Sequence, residues 1–303
     1  MNSHKIYIVE FPSNLGLKQT DYAIEPSVKK LPKWLKQFGL HKQVNPERVL
    51  GLEPPSYSMD FDKESGVRNA DKIIKYAKEQ SQLLESLKEE AFKIVIGGDC
   101  SILIGSAIAL KKKGEFGLFF IDGHTDFILP EISQTGGAAG MDLAIVTGYG
   151  HEKLTNIHGL NPYFMERNVF CVGNRAFDED YVQPILDSEI GYYNLNRLRR
   201  NGFKNTVDQF LKLVNDNRLD GFFIHLDLDV LNDDIMPAVD SRAKGGLTYV
   251  ELSELLIPLI SSEKAVGIEI TILDPDLDKN GKYTIKFVQH FVEILKSVSN
   301  SQM

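Results

Sequence analysis

The segment 119–126 carries residue types that bind divalent metals. An apolar run ends at Ile121, and three candidate ligands follow it at every second position: Asp122, His124 and Asp126. Alternate side chains of an extended backbone point to the same side, so this spacing predicts that all three project together. Two carboxylates beside an imidazole, with no lysine or arginine among them, suit a metal of the manganese, iron or zinc type.

A second segment repeats this arrangement. His225, Asp227 and Asp229 alternate with apolar residues directly after the apolar run 221–224, which predicts a shared face. Two carboxylates on one short strand repel each other, and burying both without a cation would be costly. Either segment alone fits a solvated edge strand or an aspartate pair that caps a turn equally well. The occurrence of two such segments, each after an apolar run, favours a metal site.

The composition narrows the class of protein. The chain has 303 residues, of which 43% are hydrophobic, so it can bury a substantial core, and its net charge of -8 argues against nucleic-acid and anionic-membrane partners. Cys100 and Cys171 are the only cysteines, which does not indicate a disulfide framework. We see no signal-peptide pattern and no apolar run of about 18 residues, so we expect a cytoplasmic protein.

Strand and helix patterns alternate along the chain. Predicted strands are residues 5–9, 92–96, 117–121, 168–172, 189–193, 221–224 and 265–272. Predicted helices are residues 31–38, 67–91, 102–111, 207–214, 249–259 and 284–298, and residues 44–60 are predicted to be loop-rich. This order predicts an α/β fold with a mainly parallel sheet covered on both faces. No linker divides the chain, so we expect one domain over residues 1–303.

Ligands of such sheets bind beyond the carboxyl ends of the strands. The two acidic segments lie at ends of this kind, and so does a third segment, Gly97-Gly98-Asp99-Cys100-Ser101. The sequence therefore predicts that three distant segments meet at one edge of the sheet.

Together these motifs resemble those of the ureohydrolase family (arginase, agmatinase and formimidoylglutamase). That family carries Gly-Gly-Asp-His-Ser, Asp-Ala-His-Xaa-Asp and Ser-Xaa-Asp-Xaa-Asp in this order at similar separations, and the match spans residues 92–278. The resemblance implies a three-layer α/β/α fold and a homo-oligomer, either a trimer or a hexamer. It also implies hydrolysis of a C–N bond in a small linear amidine or guanidine by metal-activated water.

The resemblance also implies a pair of divalent metal ions, manganese first. By position, one ion would take Cys100, Asp122, Asp126 and Asp227. The other would take Asp122, His124, Asp227 and Asp229. Asp126 would orient the attacking water, and Asp99 and Ser101 would support the ligands through hydrogen bonds.

Two departures from the family pattern affect the chemistry. Cys100 replaces a metal-binding histidine, and a thiolate suits zinc or iron better than manganese, so the site would hold two ions of altered preference or only one. Alternatively, Cys100 is a small buried hydrophobic residue. Ala139 replaces a histidine that arginases use for proton transfer, which leaves His225 as the candidate catalytic replacement. The alternative for His225 is a hydrogen-bonded core histidine.

The substrate-recognition positions differ as well. Ile272 stands in place of the glutamate that binds the guanidinium group, and Ile128 and Thr135 stand where arginases carry asparagine and serine. Asp178 matches the acid that contacts the substrate's α-amino group, unless it only caps the next helix. Asp178 and Thr135 are therefore the candidate substrate-binding residues. We expect a substrate other than arginine, or a non-catalytic homologue that keeps the metal site for structure or ligand binding.

Overall fold

The computed structural model describes residues 5–20 and 23–301. Within these ranges the strands are β1 (Ile6–Phe11), β2 (Arg48–Gly51), β3 (Phe61–Asp62), β4 (Val67–Arg68), β5 (Phe92–Gly97), β6 (Phe116–Ile121), β7 (Val169–Val172), β8 (Gly191–Tyr193), β9 (Gly221–Asp227) and β10 (Ala265–Thr271). The helices are α1 (Leu31–Gln37), α2 (Leu40–Val44), α3 (Ala70–Glu85), α4 (Leu103–Lys111), α5 (Asp142–Val146), α6 (Glu152–Thr155), α7 (Glu179–Leu186), α8 (Leu195–Asn201), α9 (Phe203–Asp216), α10 (Tyr249–Ile260) and α11 (Lys282–Ser301).

Eight strands of this described part form one sheet in the order β2-β1-β5-β10-β9-β6-β7-β8. Each neighbouring pair is parallel. The last two strands of the chain, β9 and β10, fill the centre of the sheet between β5 and β6. The carboxyl ends of these four strands therefore lie side by side, with about 4.8 Å between neighbours.

Helices pack on both faces of the sheet. Phe210 of α9 and Leu255 of α10 belong to the apolar layer on one face, and Ile73 of α3 and Ile104 of α4 belong to the layer on the other. Every residue of β5, β6 and β9 is buried, which explains why their sequences are nearly continuous apolar runs. The predicted α/β fold with a parallel sheet and three layers is confirmed. No helix in the described ranges is long and apolar enough to cross a membrane.

Two local predictions were wrong. The helix predicted from residue 67 begins only at Ala70, because β4 pairs antiparallel with β3 just before it. The loop predicted for residues 44–60 contains β2, which pairs with β1 at the edge of the sheet. Since β2 has no buried residue, it shows neither an apolar run nor a buried face by which it could be recognised.

A close approach of two loops fixes the backbone that follows β5. A Cβ atom added to Gly98 would lie 1.7 Å from the carbonyl oxygen of Ser13. On its other side, the Gly98 carbonyl accepts a hydrogen bond from the Ile272 amide at 2.8 Å. Gly98 is therefore held between two backbone segments, and the turn that carries Cys100 starts directly after it.

We expect Gly98→Ala to lower the free energy of unfolding by at least about 2 kcal/mol, because the backbone must move to admit the methyl group. Urea unfolding measures this change. Gly140→Ala is the matched control, since the nearest atom to its added Cβ is Ile128 Cδ1 at 3.6 Å. Equal losses of stability in both variants would contradict the steric account.

Candidate metal centre

The first group of possible ligands lies at the ends of the central strands. Ligand atoms of Cys100, Asp122, His225 and Asp227 are all within 4.8 Å of one another, and all four residues are buried. The Cys100 thiol donates a hydrogen bond to Asp227 Oδ2 at 2.9 Å and lies 3.2 Å from Thr271 Oγ1. Three segments that are distant in sequence therefore meet at one point.

A second group shares one member with the first. Ligand atoms of Asp122, His124 and Asp126 also lie within 4.8 Å of one another. Nδ1 of His124 is 2.8 Å from Asp229 Oδ2, which brings this fourth residue beside the group. The structure thus brings together all six residues expected to bind metal, and it adds His225 to them.

The backbone reason given for this grouping holds for only part of it. His225 and Asp227 lie two residues apart in β9, as the alternation predicted, but β9 ends at Asp227 and β6 already ends at Ile121, so the remaining candidate ligands lie in turns. Asp126 has a left-handed backbone with φ +44°. Asp229 lies in a 3-10 turn, and its own amide donates a hydrogen bond to Asp227 Oδ1 at 2.7 Å. Because of this turn, Asp229 points to His124 instead of sharing a face with Asp227.

Two side chains hold these turns in place. Nη2 of Arg175 donates to the Asp229 carbonyl at 2.6 Å, and the Arg175 amide donates to the Gly123 carbonyl at 3.1 Å. The hydroxyl of Tyr181 accepts a hydrogen bond from the Thr125 amide at 2.6 Å. Asp99 and Ser101 act on the turn after β5, where Asp99 Oδ1 accepts from the Ser101 amide at 2.9 Å.

Burial and mutual repulsion dominate the electrostatics of the carboxylates. Burial, followed by the charges of Asp229 and Asp122, raises the pKa of Asp227 well above its ordinary value. Burial and Asp122 raise the pKa of Asp126 in the same way. Burial and Asp227 likewise raise the pKa of the Cys100 thiol. These groups resist ionisation together because burial and the neighbouring carboxylates both oppose the charged form.

His124 supplies positive charge to the second group. The charge of Asp229 raises the pKa of His124 to about 12. Burial opposes the ionisation of Asp229, but His124 and Arg175 outweigh burial and hold its pKa below the ordinary value. Protonated His124 and a divalent ion would therefore neutralise the same carboxylates.

The residues present fit a divalent metal. Within the described residues, Asp122 Oδ2 and the Nε2 atom of His225 are buried without a hydrogen-bond partner, and each is a ligand atom of the usual kind. Oxygen and imidazole donors with one thiolate match zinc, iron or cobalt, and the group without the thiolate also matches manganese.

Asp142 is a buried acid that the sequence patterns did not single out. It is the first residue of α5, and neither carboxylate oxygen has a side-chain partner among the described residues. Burial, followed by Asp122 and Glu269, raises the pKa of Asp142 well above its ordinary value. Its position after Met141 in a short helix gave no spacing signal. It adds a further acidic group whose ionisation is opposed by the two ligand groups.

The candidate substrate-binding residues lie outside both ligand groups. Asp178 is exposed at the start of α7, and its side chain makes no capping hydrogen bond. Thr135 is exposed, and its Oγ1 accepts from the Gly137 amide at 3.1 Å. Ala139 is buried, and its amide donates a hydrogen bond to the Gly16 carbonyl at 3.1 Å; its side chain offers no titratable group.

Ile272 is buried with a left-handed backbone of φ +74°. This conformation costs a β-branched residue roughly 1–2 kcal/mol, and such strain is concentrated at functional sites. The Ile272 amide is held by the Gly98 carbonyl, so the strained residue and the Cys100 turn are fixed against each other.

A cavity of about 450 Å³ lies at the opposite, amino-terminal end of the central strands. It is lined by Lys93, Phe116, Phe223 and Val266 among others. The two possible ligand groups are at the other end of the same strands. The cavity therefore belongs to the packing of the sheet's amino ends and not to the metal centre.

Comparison with known proteins agrees with this fold and site. The sequence model of the arginase family matches residues 47–295. An arginase of Staphylococcus aureus (strain MRSA252) is 28% identical over 281 residues, which cover 91% of each chain. The structure of arginase from Bacillus caldovelox matches with a TM-score of 0.83 and 25% identity over 97% of this chain and 98% of the other. Formimidoylglutamase from Bacillus subtilis shares the fold, with a TM-score of 0.73 and 18% identity over 98% and 88%.

The fold and the site thus define a hydrolase that binds divalent metal. The chain belongs to the arginase family, whose members act on the C–N bonds of guanidino and amidino groups. The resemblance inferred from the three motifs is confirmed.

We expect Asp142→Asn to stabilise the metal-free protein, and the gain to increase with pH. An unfolded aspartate releases its proton near pH 4, whereas the folded Asp142 keeps it to higher pH. Above pH 4 the folded wild type therefore loses stability, by about 1.4 kcal/mol for each pH unit up to the raised pKa. The asparagine variant has no such loss. Urea unfolding at several pH values measures the difference.

Asp62→Asn provides a control of opposite sign. Hydrogen bonds from Ser65 and Lys153 lower the pKa of Asp62 to about 2. These hydrogen bonds to Asp62 contribute stability above the unfolded pKa of about 4, and the contribution disappears as the pH falls towards 2. Its substitution should therefore destabilise at neutral pH. A pH-independent effect of Asp142→Asn would contradict the assigned electrostatics.

Proposed function

We propose that this protein hydrolyses a C–N bond in a small guanidino or amidino compound other than arginine, at a centre of two divalent metal ions. The observation that carries the proposal is the buried cluster around Asp122, where candidate ligand atoms converge and burial and the charge of Asp229 raise the pKa of Asp122. The metal ions, when bound, supply Lewis acidity that lowers the pKa of water and polarises the substrate.

The chain's own residues orient the reactants. Asp126 is 8% exposed and stands beside Asp122, so its carboxylate can accept a hydrogen bond from the attacking water and take up a proton. Ala139 cannot donate a proton to the leaving nitrogen. Asp126 is then the acid of the cluster best placed to return that proton, which is general acid–base catalysis by one carboxyl group.

The recognition residues support a substrate that differs from arginine. Ile272 offers a buried apolar side chain where a carboxylate would be needed to pair with a guanidinium group. Asp178 remains available at the surface, and we assign it to a substrate amino group. Thr135 offers one hydroxyl at the position where arginases carry a serine. A smaller or less cationic amidine would leave fewer of its polar groups unpaired at this site.

Arginine hydrolysis is the second candidate. It is favoured by the Staphylococcus aureus relative, which is named arginase and aligns over 91% of this chain. The two candidates share the metal centre and differ in the substrate group that the recognition positions, Ile272 among them, must accommodate.

We expect the protein, loaded in turn with manganese, zinc, iron, cobalt or nickel, to release urea, ammonia or formamide from at least one compound in a panel of guanidino and formimidoyl substrates that includes arginine. The kcat/KM for arginine should be lower than for the best compound. Asp227→Ala should remove both bound metal and turnover, because it deletes a central ligand.

The same panel separates the alternatives. If arginine has the highest kcat/KM, arginine hydrolysis replaces the proposed substrate class. If no compound reacts at full metal occupancy, the hydrolase assignment fails in favour of a non-catalytic member of the family.

Replacing Cys100 by histidine should shift the metal preference towards manganese, because imidazole is a harder ligand than thiolate. Competition between manganese and zinc, followed by elemental analysis of the protein, gives the ratio bound by each form. Cys171→Ser is the control, since Cys171 is also a free buried cysteine but lies outside the ligand groups. An unchanged ratio in Cys100→His would show that Cys100 does not bind the metal.

A further inference from the structure

His225 occupies the centre of the site and is fully buried, with 0% of its surface exposed. Its ring stacks on Phe120 with 4.4 Å between centroids and 6° between planes. Its Nδ1 atom lies 2.7 Å from Glu269 Oε1 on the neighbouring strand β10. The ring therefore has one orientation, fixed by the strand on each side.

These contacts decide which ring nitrogen is free. The second oxygen of Glu269 accepts a hydrogen bond from Ser106 Oγ at 2.9 Å, so this carboxylate is an acceptor on both sides. Nδ1 of His225 then carries the proton, and Nε2 keeps its lone pair. Within the described residues, Nε2 has no hydrogen-bond partner.

A free nitrogen in a fully buried position is unfavourable unless something binds it. A buried polar atom without a partner costs roughly 1–3 kcal/mol. A core histidine held only by hydrogen bonds would have satisfied this atom. The histidine instead belongs to the group in which ligand atoms of Cys100, Asp122, His225 and Asp227 lie within 4.8 Å of one another.

The spacing of this group suits one ion. Four tetrahedral ligands at about 2.0–2.3 Å from an ion lie about 3.3–3.8 Å from one another. The four side chains, whose ligand atoms are within 4.8 Å of one another, therefore need only small movements to enclose one ion. The hydrogen bond from Nδ1 to Glu269 has the form seen where a carboxylate orients a metal-binding histidine and increases its basicity.

We propose that His225 Nε2 is a metal ligand and that Cys100, Asp122, His225 and Asp227 together hold one ion of the zinc, iron or cobalt type. The proposal rests on the metal centre of the proposed function and changes its composition. The family pattern has histidine at position 100 and serine at position 225, whereas this chain has cysteine and histidine. The imidazole ligand has thus moved from the loop after β5 into strand β9, and Glu269 is its positioning residue.

Cobalt titration of the chelator-treated full chain tests this site. Cobalt bound to a thiolate gives a charge-transfer absorption, so this band reports on the Cys100 site alone. We expect it to saturate at one cobalt per chain. His225→Gln should weaken the binding that produces the band by more than about 100-fold, since loss of a supporting residue alone costs 10–100-fold. Glu269→Gln should weaken the same binding by about 10–100-fold, as expected for a supporting residue.

His41→Gln is the matched control. His41 is also buried, at 8% exposure, and its Nε2 lies 2.8 Å from Glu10 Oε1. It belongs to neither ligand group in the described residues, so its substitution should leave the cobalt midpoint unchanged.

Two results would overturn the proposal. An unchanged midpoint in His225→Gln would remove His225 from the site, and bound cobalt without a charge-transfer band would remove Cys100. If His225→Gln does not fold, X-ray absorption of the wild type with one equivalent of zinc decides the question. One sulfur and at least one imidazole around zinc support the site, and scattering without imidazole contradicts it.

None of these measurements involves a substrate. A chain that binds cobalt as expected but hydrolyses no compound of the panel would contradict the proposed function and support this inference. If the chain hydrolyses its substrate but the His225→Gln variant binds cobalt normally, the proposed function is supported and this inference is contradicted.

Discussion

The main physical constraint on this structure is the repulsion among carboxylates that are buried next to one another. Asp122, Asp126, Asp142 and Asp227 lie where water cannot stabilise their charges, and burial raises the pKa of each. A fold can keep such a cluster only if function requires it, because apolar residues in these positions would be more stable. A bound cation removes the repulsion, so stability and metal binding are linked in this protein.

The sheet topology creates this cluster. β9 and β10 are the last strands in the chain, and they separate β5 from β6 in the sheet. The Cys100 turn, the two acidic segments and Thr271 therefore lie at the carboxyl ends of four adjacent strands. Tight backbone contacts then fix the turns that follow the strands. The left-handed residues Asp126 and Ile272 show that these turns are held in strained conformations at the site.

The sequence predicted the parallel sheet and the meeting of three segments at its carboxyl edge, because buried parallel strands are continuous apolar runs. It did not predict strand β2, which lies exposed at the sheet edge. The alternation argument explains why His225 and Asp227 lie together on β9, but turns and not extended strands present His124 and Asp229. The position of Glu269 beside His225 depends on strand order, and Asp142 depends on how α5 packs; neither is encoded in local spacing.

The direct test of this account is anomalous diffraction from crystals of the protein prepared with a divalent metal and without chelator. We expect an anomalous peak within bonding distance of both Asp122 and Asp227. Ordered crystals at saturating metal that show no peak there, with both carboxylates instead bonded to water or to protein donors, would contradict the central claim that this cluster exists to hold a cation.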